Sequence, residues 1–450
     1  MYHSKELGLT GRIVTPKDPQ YNIDRQDFNT FFNKFPLVIV YAQEPKDVVN
    51  AVQWARYWKV PIRVRSGGHS YEGTSLLDAG IVIDVSEMKK VDVDHKCGTV
   101  TVQTGLRNFE LYKTLWDERL VVPSGVCATP GIGGVTLGGG HSILSRPWGL
   151  TLDNLIELEM VDADGCVVHA SAEHNADLFW ASRGGGGGNF GICTSFRFCT
   201  HHIDMVGFAE IRWELKDLEP VLRTWQEYTT PCADERLTPT LFIGSGKEST
   251  MLMQGVFLGS AKELRDLLQP LLQAGSPQSV TIEEIPWIEA VDRVAAAQPI
   301  TPLPFKSVGP YLYKLLPDEG IATIRRFIDE PATDAVSIFF HGLGGAVARV
   351  PSWSTAYIYR QALSNMSLFA TWSKPERAAT GIRWVEDFRQ AMLPFTKGVY
   401  VNTLDFSIED GPNAYYATNF NRLTRVKAKY DPENIFKFQQ SIPPATGCCY

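Results

Sequence analysis

Three glycine clusters crowd roughly 125 residues of this 450-residue chain, and two of them present a soft nucleophile. The first reads Arg65-Ser66-Gly67-Gly68-His69-Ser70-Tyr-Glu-Gly73. The second reads Ser124-Gly-Val-Cys127-Ala-Thr-Pro-Gly131-Ile-Gly133-Gly134 and continues to Gly138-Gly139-Gly140-His141. The third is Arg183-Gly-Gly-Gly-Gly187-Gly188-Asn189-Phe-Gly191. Backbone without Cβ lets successive N–H groups converge on an anion and lets the chain approach a planar ligand. A surface turn readily explains one such cluster. Three clusters, carrying an imidazole and a thiol, point to one large flat ligand. None is a dinucleotide fingerprint at a strand-to-helix junction, and no Gly-Lys-Ser/Thr closes a phosphate loop.

Composition narrows the partners. With 44% hydrophobic and 21% charged residues the balance is globular, and the length suits two or three domains. A net charge of −7 without a long Lys/Arg run argues against nucleic acid or an anionic membrane surface. No apolar run approaches the roughly 18–20 residues that span a bilayer. The opening residues lack a secretion-signal pattern, so a soluble, cytoplasmic protein is expected. None of the eight cysteines forms a Cys-x-x-Cys pair, which predicts no metal site and a reduced compartment. Cys448-Cys449 reads as a frayed tail.

Periodicity predicts a helix over 45–58, strands at 61–65, 80–84 and 98–103, and a helix over 108–118. From about Met205 longer alternating runs predict strands at 206–213, 240–243, 251–257, 336–340, 357–359 and 399–402. Amphipathic stretches at 218–228, 262–272 and 375–392 predict helices over one face of that sheet. A last helix is expected over 415–429, stopped by Asp431-Pro432.

Ser66-Gly-Gly-His69-Ser70, Gly125-Val-Cys127 with its glycines, Asp177-Leu-Phe-Trp180 before Arg183, and the terminal Tyr415-Tyr416-Ala-Thr-Asn419-Phe…Gln440-Ser-Ile-Pro-Pro together resemble the berberine-bridge-enzyme-like branch of the vanillyl alcohol oxidase superfamily. The resemblance implies an α+β fold: a two-part FAD-binding domain (1–205 and 408–450) with an inserted substrate domain (206–407) of antiparallel sheet covered by helices. It implies FAD bound covalently through His69 (8α-histidyl) and Cys127 (6-S-cysteinyl). Around the flavin it places Arg65, Ser66, Gly67, Gly68, Ser70, Gly131, Gly133, Gly134, Gly138, Gly139, His141, Gly187, Gly188, Asn189, Gly191, Asn419 and Gln440. The implied base is Tyr415, with Tyr416 beside it, and Tyr400 and Asn402 on the substrate side of the ring.

Two departures stand out. Trp148 occupies the place of a tyrosine that assists the base in the family, and is expected to stack on a substrate ring. Pro130 stands where an aliphatic residue usually gates oxygen, which leaves oxidase and dehydrogenase both open. The implied activity is hydride transfer from an alcohol, sugar hemiacetal or secondary metabolite to flavin, then to molecular oxygen with release of hydrogen peroxide. Alternatives are a flavin dehydrogenase, a berberine-bridge-type oxidative cyclase, and, outside catalysis, an idle flavin-retaining structural protein. The sequence leaves the oligomeric state open.

Overall fold

The computed structural model describes residues 8–246 and 249–446, so Cys448-Cys449 and the first seven residues lie outside the described residues. The chain begins with a small sheet. Parallel strands Val38–Tyr41, Ile81–Asp84 and Ile62–Arg65 pair with antiparallel Arg12–Val14 at one edge. Helix Pro45–Trp58 covers this sheet with the lengths that periodicity predicts. Pro45 sits in its first turn, Glu44 and Asp47 close a capping box, and Lys59 ends it in a left-handed conformation. Val48, Ala51, Val52 and Ala55 make its buried stripe.

A second, antiparallel sheet orders Val91–Asp94, Thr99–Gln103, Ile192–Cys199, Leu155–Val161 and Val167–Ser171. The glycine clusters leave this α/β region as loops. The first follows strand Ile62–Arg65, the second opens helix Ile132–Gly138, and the third joins helix Ala176–Ser182 to strand Ile192–Cys199.

From Met205 a nine-stranded antiparallel sheet takes over. Its central strands are Met205–Trp213, Thr250–Phe257, Leu237–Gly246, Ala335–Gly342 and Ser364–Thr371. Alternation splits it into two faces. Leu241, Ile243, Ile338, Phe340, Met366 and Leu368 form one core with helices Leu218–Trp225, Asp318–Asp329 and Ala378–Met392. The other face looks into a cavity. The protein is thus mixed helix and antiparallel sheet, as expected.

Several expected elements shift. Residues 357–359 form no strand; Tyr357 and Tyr359 are buried in an aromatic cluster on a loop, and the strand is Ser364–Thr371. The strand expected over 399–402 is Thr396–Val399, after which Val401–Thr403 turn as a 3-10 helix. The terminal helix breaks into Gly411–Tyr416 and Phe420–Tyr430 at Ala417, whose φ is 44°. Tertiary contacts impose that break, because Asn419 Nδ2 between the halves donates to the carbonyls of Ser352, Thr355 and Ala356.

Two buried cations hold the parts together. Lys306 on strand Phe305–Val308 bonds Glu72, beside the first glycine cluster, and Asp405 Oδ1 at 2.7 Å. Lys427 donates to the Asn189 carbonyl at 2.6 Å, to Asp431 Oδ2 at 2.6 Å and to the Phe436 carbonyl at 2.8 Å. The terminal segment is thereby fastened to the third glycine cluster. Among the described residues, six cysteines are free and no helix is long and apolar enough to cross a membrane.

Candidate active site

A cavity of about 1190 Å³ lies between the glycine loops and the open face of the large sheet. His69, Cys127 and His141 all line it. So do Ser66, Gly67, Gly68 and Ser70 from the first cluster, and Gly131, Gly133 and Gly134 from the second. The third cluster contributes Gly187, Gly188, Asn189 and Gly191. Loops far apart in sequence therefore share one wall.

The missing Cβ atoms serve two purposes. A Cβ at Gly67 would collide with the backbone nitrogen of Gly131, so the first two loops cross only because both are glycine there. A Cβ at Gly134 would meet nothing within 4 Å, and one at Gly187 would approach nothing closer than 3.8 Å. Those two positions border empty space, which is the space a bound planar cofactor would fill.

His69 stacks on Phe28 with ring centroids 4.2 Å apart. Burial, with the Arg107 charge, lowers its pKa to about 4, so the imidazole is uncharged at neutral pH and its lone pair is free to attack. Cys127 Sγ lies 3.7 Å from Gln298 Oε1, and burial pushes its thiol up to about 11. Among the described residues no cluster suits a metal ion.

Several expected site residues stand back from the cavity. Arg65 is buried behind its loop, bonded to Asp84 and to Tyr41 Oη at 3.1 Å. It holds the loop's base. Gly138 and Gly139 pack against Asn402 and Tyr400. Asn419 ties the loop at 352–356, and Gln440 Nε2 donates to the carbonyls of Asp405 and Ile408. Tyr415 likewise does not line the cavity. Its hydroxyl accepts from the Asp405 N–H at 2.9 Å and lies 3.2 Å from Gln440 Oε1, and burial raises its pKa further. Trp148 stacks on His201 at 4.5 Å and is not among the residues that line the cavity.

Tyr416, Tyr400 and Asn402 do reach the cavity wall. Tyr416 Oη donates to the Gly185 carbonyl at 3.0 Å. Tyr400 Oη accepts from the Gly140 N–H at 2.8 Å and from Asn402 Nδ2 at 2.9 Å. Sequence reasoning missed the opposite wall: Phe242, Phe339 and Phe369, interleaved with Ser337, Ser367 and Asn365. Register sets Phe339 against both Phe242 and Ser367, so these side chains form a continuous surface. The alternation of strand 336–340 carried that signal, but without the partner strand's register no face could be assigned.

Known proteins share this arrangement. Residues 36–171 match the family described as "FAD binding domain", and residues 399–443 match "Berberine and berberine like". The uncharacterized FAD-linked oxidoreductase YgaK of Bacillus subtilis is 42% identical over 440 residues, 97% of each chain. Among solved structures, BBE-like 1 of Physcomitrella patens superposes with a TM-score of 0.92 at 28% identity, covering 98% of both chains. Phl p 4, a grass pollen allergen with glucose dehydrogenase activity, gives 0.88 at 26% identity over 97% of both. The glycine-walled cavity, the full-length likeness and the matching terminal segment have one reading: this protein belongs to the berberine-bridge-enzyme-like FAD-linked oxidoreductases.

Proposed function

We propose that the protein is a bicovalent flavoenzyme that oxidises a carbon–hydroxyl bond of a polyhydroxylated or aromatic substrate, with oxygen as electron acceptor. The observation that carries this reading is that His69 and Cys127, 58 positions apart in the chain, open into one cavity whose glycine wall leaves room for a flat ring. FAD held there would supply the two-electron chemistry, taking a hydride from the substrate and passing the electrons to oxygen as hydrogen peroxide. His69 and Cys127 hold its ring, while the first and third glycine clusters offer backbone N–H groups. In this reading residues 1–205 and 408–450 hold the cofactor and residues 206–407 the substrate.

The sheet wall suits a sugar or an aromatic alcohol. Phe242, Phe339 and Phe369 give flat apolar faces, and Ser337 and Ser367 give hydroxyls between them. The glucose dehydrogenase activity of Phl p 4 is consistent with that chemistry. Asn402 and Tyr416 orient groups on the cofactor side. Pro130, on the cavity wall beside Cys127, governs access of oxygen.

The test is direct. Denatured protein should stay yellow and carry the mass of one FAD. His69→Ala and Cys127→Ala should each keep flavin through the remaining bond, and the double variant should release it. Anaerobic addition of D-glucose, cellobiose or coniferyl alcohol should bleach the colour, and air should restore it. Free FAD released by acid from the unmutated protein would end the bicovalent reading. Bleaching without rapid return in air would favour a dehydrogenase.

A further inference from the structure

We propose that His341, stacked on His141, accepts the proton of the substrate hydroxyl. The proposal rests on the alcohol-oxidising reading above and assigns the base that Tyr415 does not supply.

His341 sits on strand Ala335–Gly342, faces the cavity and is 2% exposed. Neither ring nitrogen makes a well-formed hydrogen bond, although the Ser142 backbone lies close enough to favour a proton on the ring. A buried polar atom left unsatisfied costs about 1–3 kcal/mol. A substrate hydroxyl donating to the free lone pair removes that cost.

The surroundings keep the ring neutral, with its lone pair available, until a substrate hydroxyl reaches it. His341 and His141 stack with centroids 5.4 Å apart and an interplanar angle of 17°. His141 stacks in turn on Tyr400 at 4.1 Å. His141 Nε2 lies 3.2 Å from Tyr357 Oη, and Tyr357 donates to Tyr311 Oη at 2.9 Å. A charge formed on His341 thus meets a ladder of polarisable rings and hydroxyls. The titratable groups packed around the two imidazoles are Tyr311, Tyr357 and Tyr400, all driven toward the neutral phenol by burial. The cation behind Tyr357 is Arg360, which Asp153 neutralises at 2.8 Å. Burial keeps His341 itself uncharged, with a pKa near 4.

Alternatives on the wall are poorer. Tyr416 and Tyr71 are buried phenols with raised pKa values. Among the described residues the carboxylate lining the cavity is Asp334, seven residues from His341 along the strand, or roughly 23 Å. Asn365, directly across from His341, has its amide bonded to the Gly309 and Pro310 carbonyls and to Ser367, which fixes the wall beside the imidazole. In the step, His341 takes the proton as the O–H bond breaks. The hydrogen of the adjacent C–H bond would leave with its electron pair as hydride to bound FAD, the two-electron oxidant, as the oxygen's electron pair forms the carbonyl double bond.

The test uses the holoenzyme. His341→Gln should retain covalent flavin and thermal stability close to the unmutated protein. Its anaerobic bleaching by whichever of D-glucose, cellobiose or coniferyl alcohol works on the unmutated protein should slow by about 10²–10⁴-fold, the usual scale of a lost general base. Added imidazole should restore at least about tenfold of that rate to His341→Ala. Without substrate, NMR of histidine-labelled protein should show several imidazoles that stay uncharged to about pH 5, as burial also lowers His69 and His141, and one of these signals should disappear in His341→Gln. Bleaching by His341→Gln within threefold of the unmutated rate, or a slow variant that imidazole does not rescue, overturns the assignment alone. Failure of the whole panel on the unmutated protein overturns the underlying reaction, and this assignment with it.

Discussion

The two walls of the cavity are built from opposite materials. The glycine wall is backbone, and its shape follows from atoms that are missing: no Cβ at Gly67, where loops cross, and none at Gly134 or Gly187, where space must stay open. The sheet wall is side chains, with Phe242, Phe339 and His341 standing on a ladder whose reverse face is packed by helices. Backbone cannot be exchanged without losing the loop, whereas a side chain on a well-supported strand can change while the strand remains. A fold assembled this way can keep its cofactor and alter its substrate.

Substitution should expose that contrast. Gly67→Ala forces two backbones apart and should abolish flavin retention, measured as absorbance near 450 nm per protein after gel filtration. Phe339→Ala should keep full flavin and raise KM by about tenfold, close to the 1.4 kcal/mol that such a factor represents. Equal flavin loss in both variants would break the distinction between the walls.

Next in size is the clamp between them. Lys306→Met leaves Glu72 and Asp405 buried without their cation, and should destabilise the protein by about 3–5 kcal/mol. Thermal unfolding followed by circular dichroism reads the effect. An unchanged Tm would mean that the walls are held by packing alone.

A smaller effect is expected at Tyr415. Tyr415→Phe removes the acceptor of the buried Asp405 N–H, costing about 1–3 kcal/mol, yet it should leave anaerobic flavin reduction within a few-fold. A drop of two orders of magnitude would return the base to the terminal segment.

Near neutral pH the smallest effect on stability is at His341, and it grows only in acid. His341 is uncharged in the fold, with its pKa lowered by burial to about 4 against the ordinary 6.5. The unfolded chain therefore binds a proton that the fold refuses. The resulting stability is fully present above about pH 6.5 and is lost as pH falls toward 4. His341→Gln should reduce the dependence of Tm on pH in that window, the remainder coming from His69 and His141, and an unaltered slope would place the titration elsewhere.

Much of the glycine wall was legible from sequence because its signal is local. Gly-Gly-His69 and Gly-Val-Cys127 announce themselves in a few residues, and helix Pro45–Trp58 carries its own cap and stripe. The resemblance of the terminal segment identified the family, but it did not say which neighbours each side chain would meet. Trp148 and Tyr415 occupy expected places in the chain, yet His201 and Asp405 hold them.

By itself the sequence determined that three glycine-rich stretches would bring backbone close to one another, that a half-covered antiparallel sheet would follow, and that the last residues share a family signature. The tertiary structure alone decided which strand face meets the cavity. It also set where the terminal helix breaks and which buried groups keep a free lone pair. The physical reason is range. A missing Cβ, a cap or an alternating stripe acts through neighbouring residues, but the environment of His341 depends on His141, two hundred positions away, and its cross-strand partner Asn365 is supplied by register.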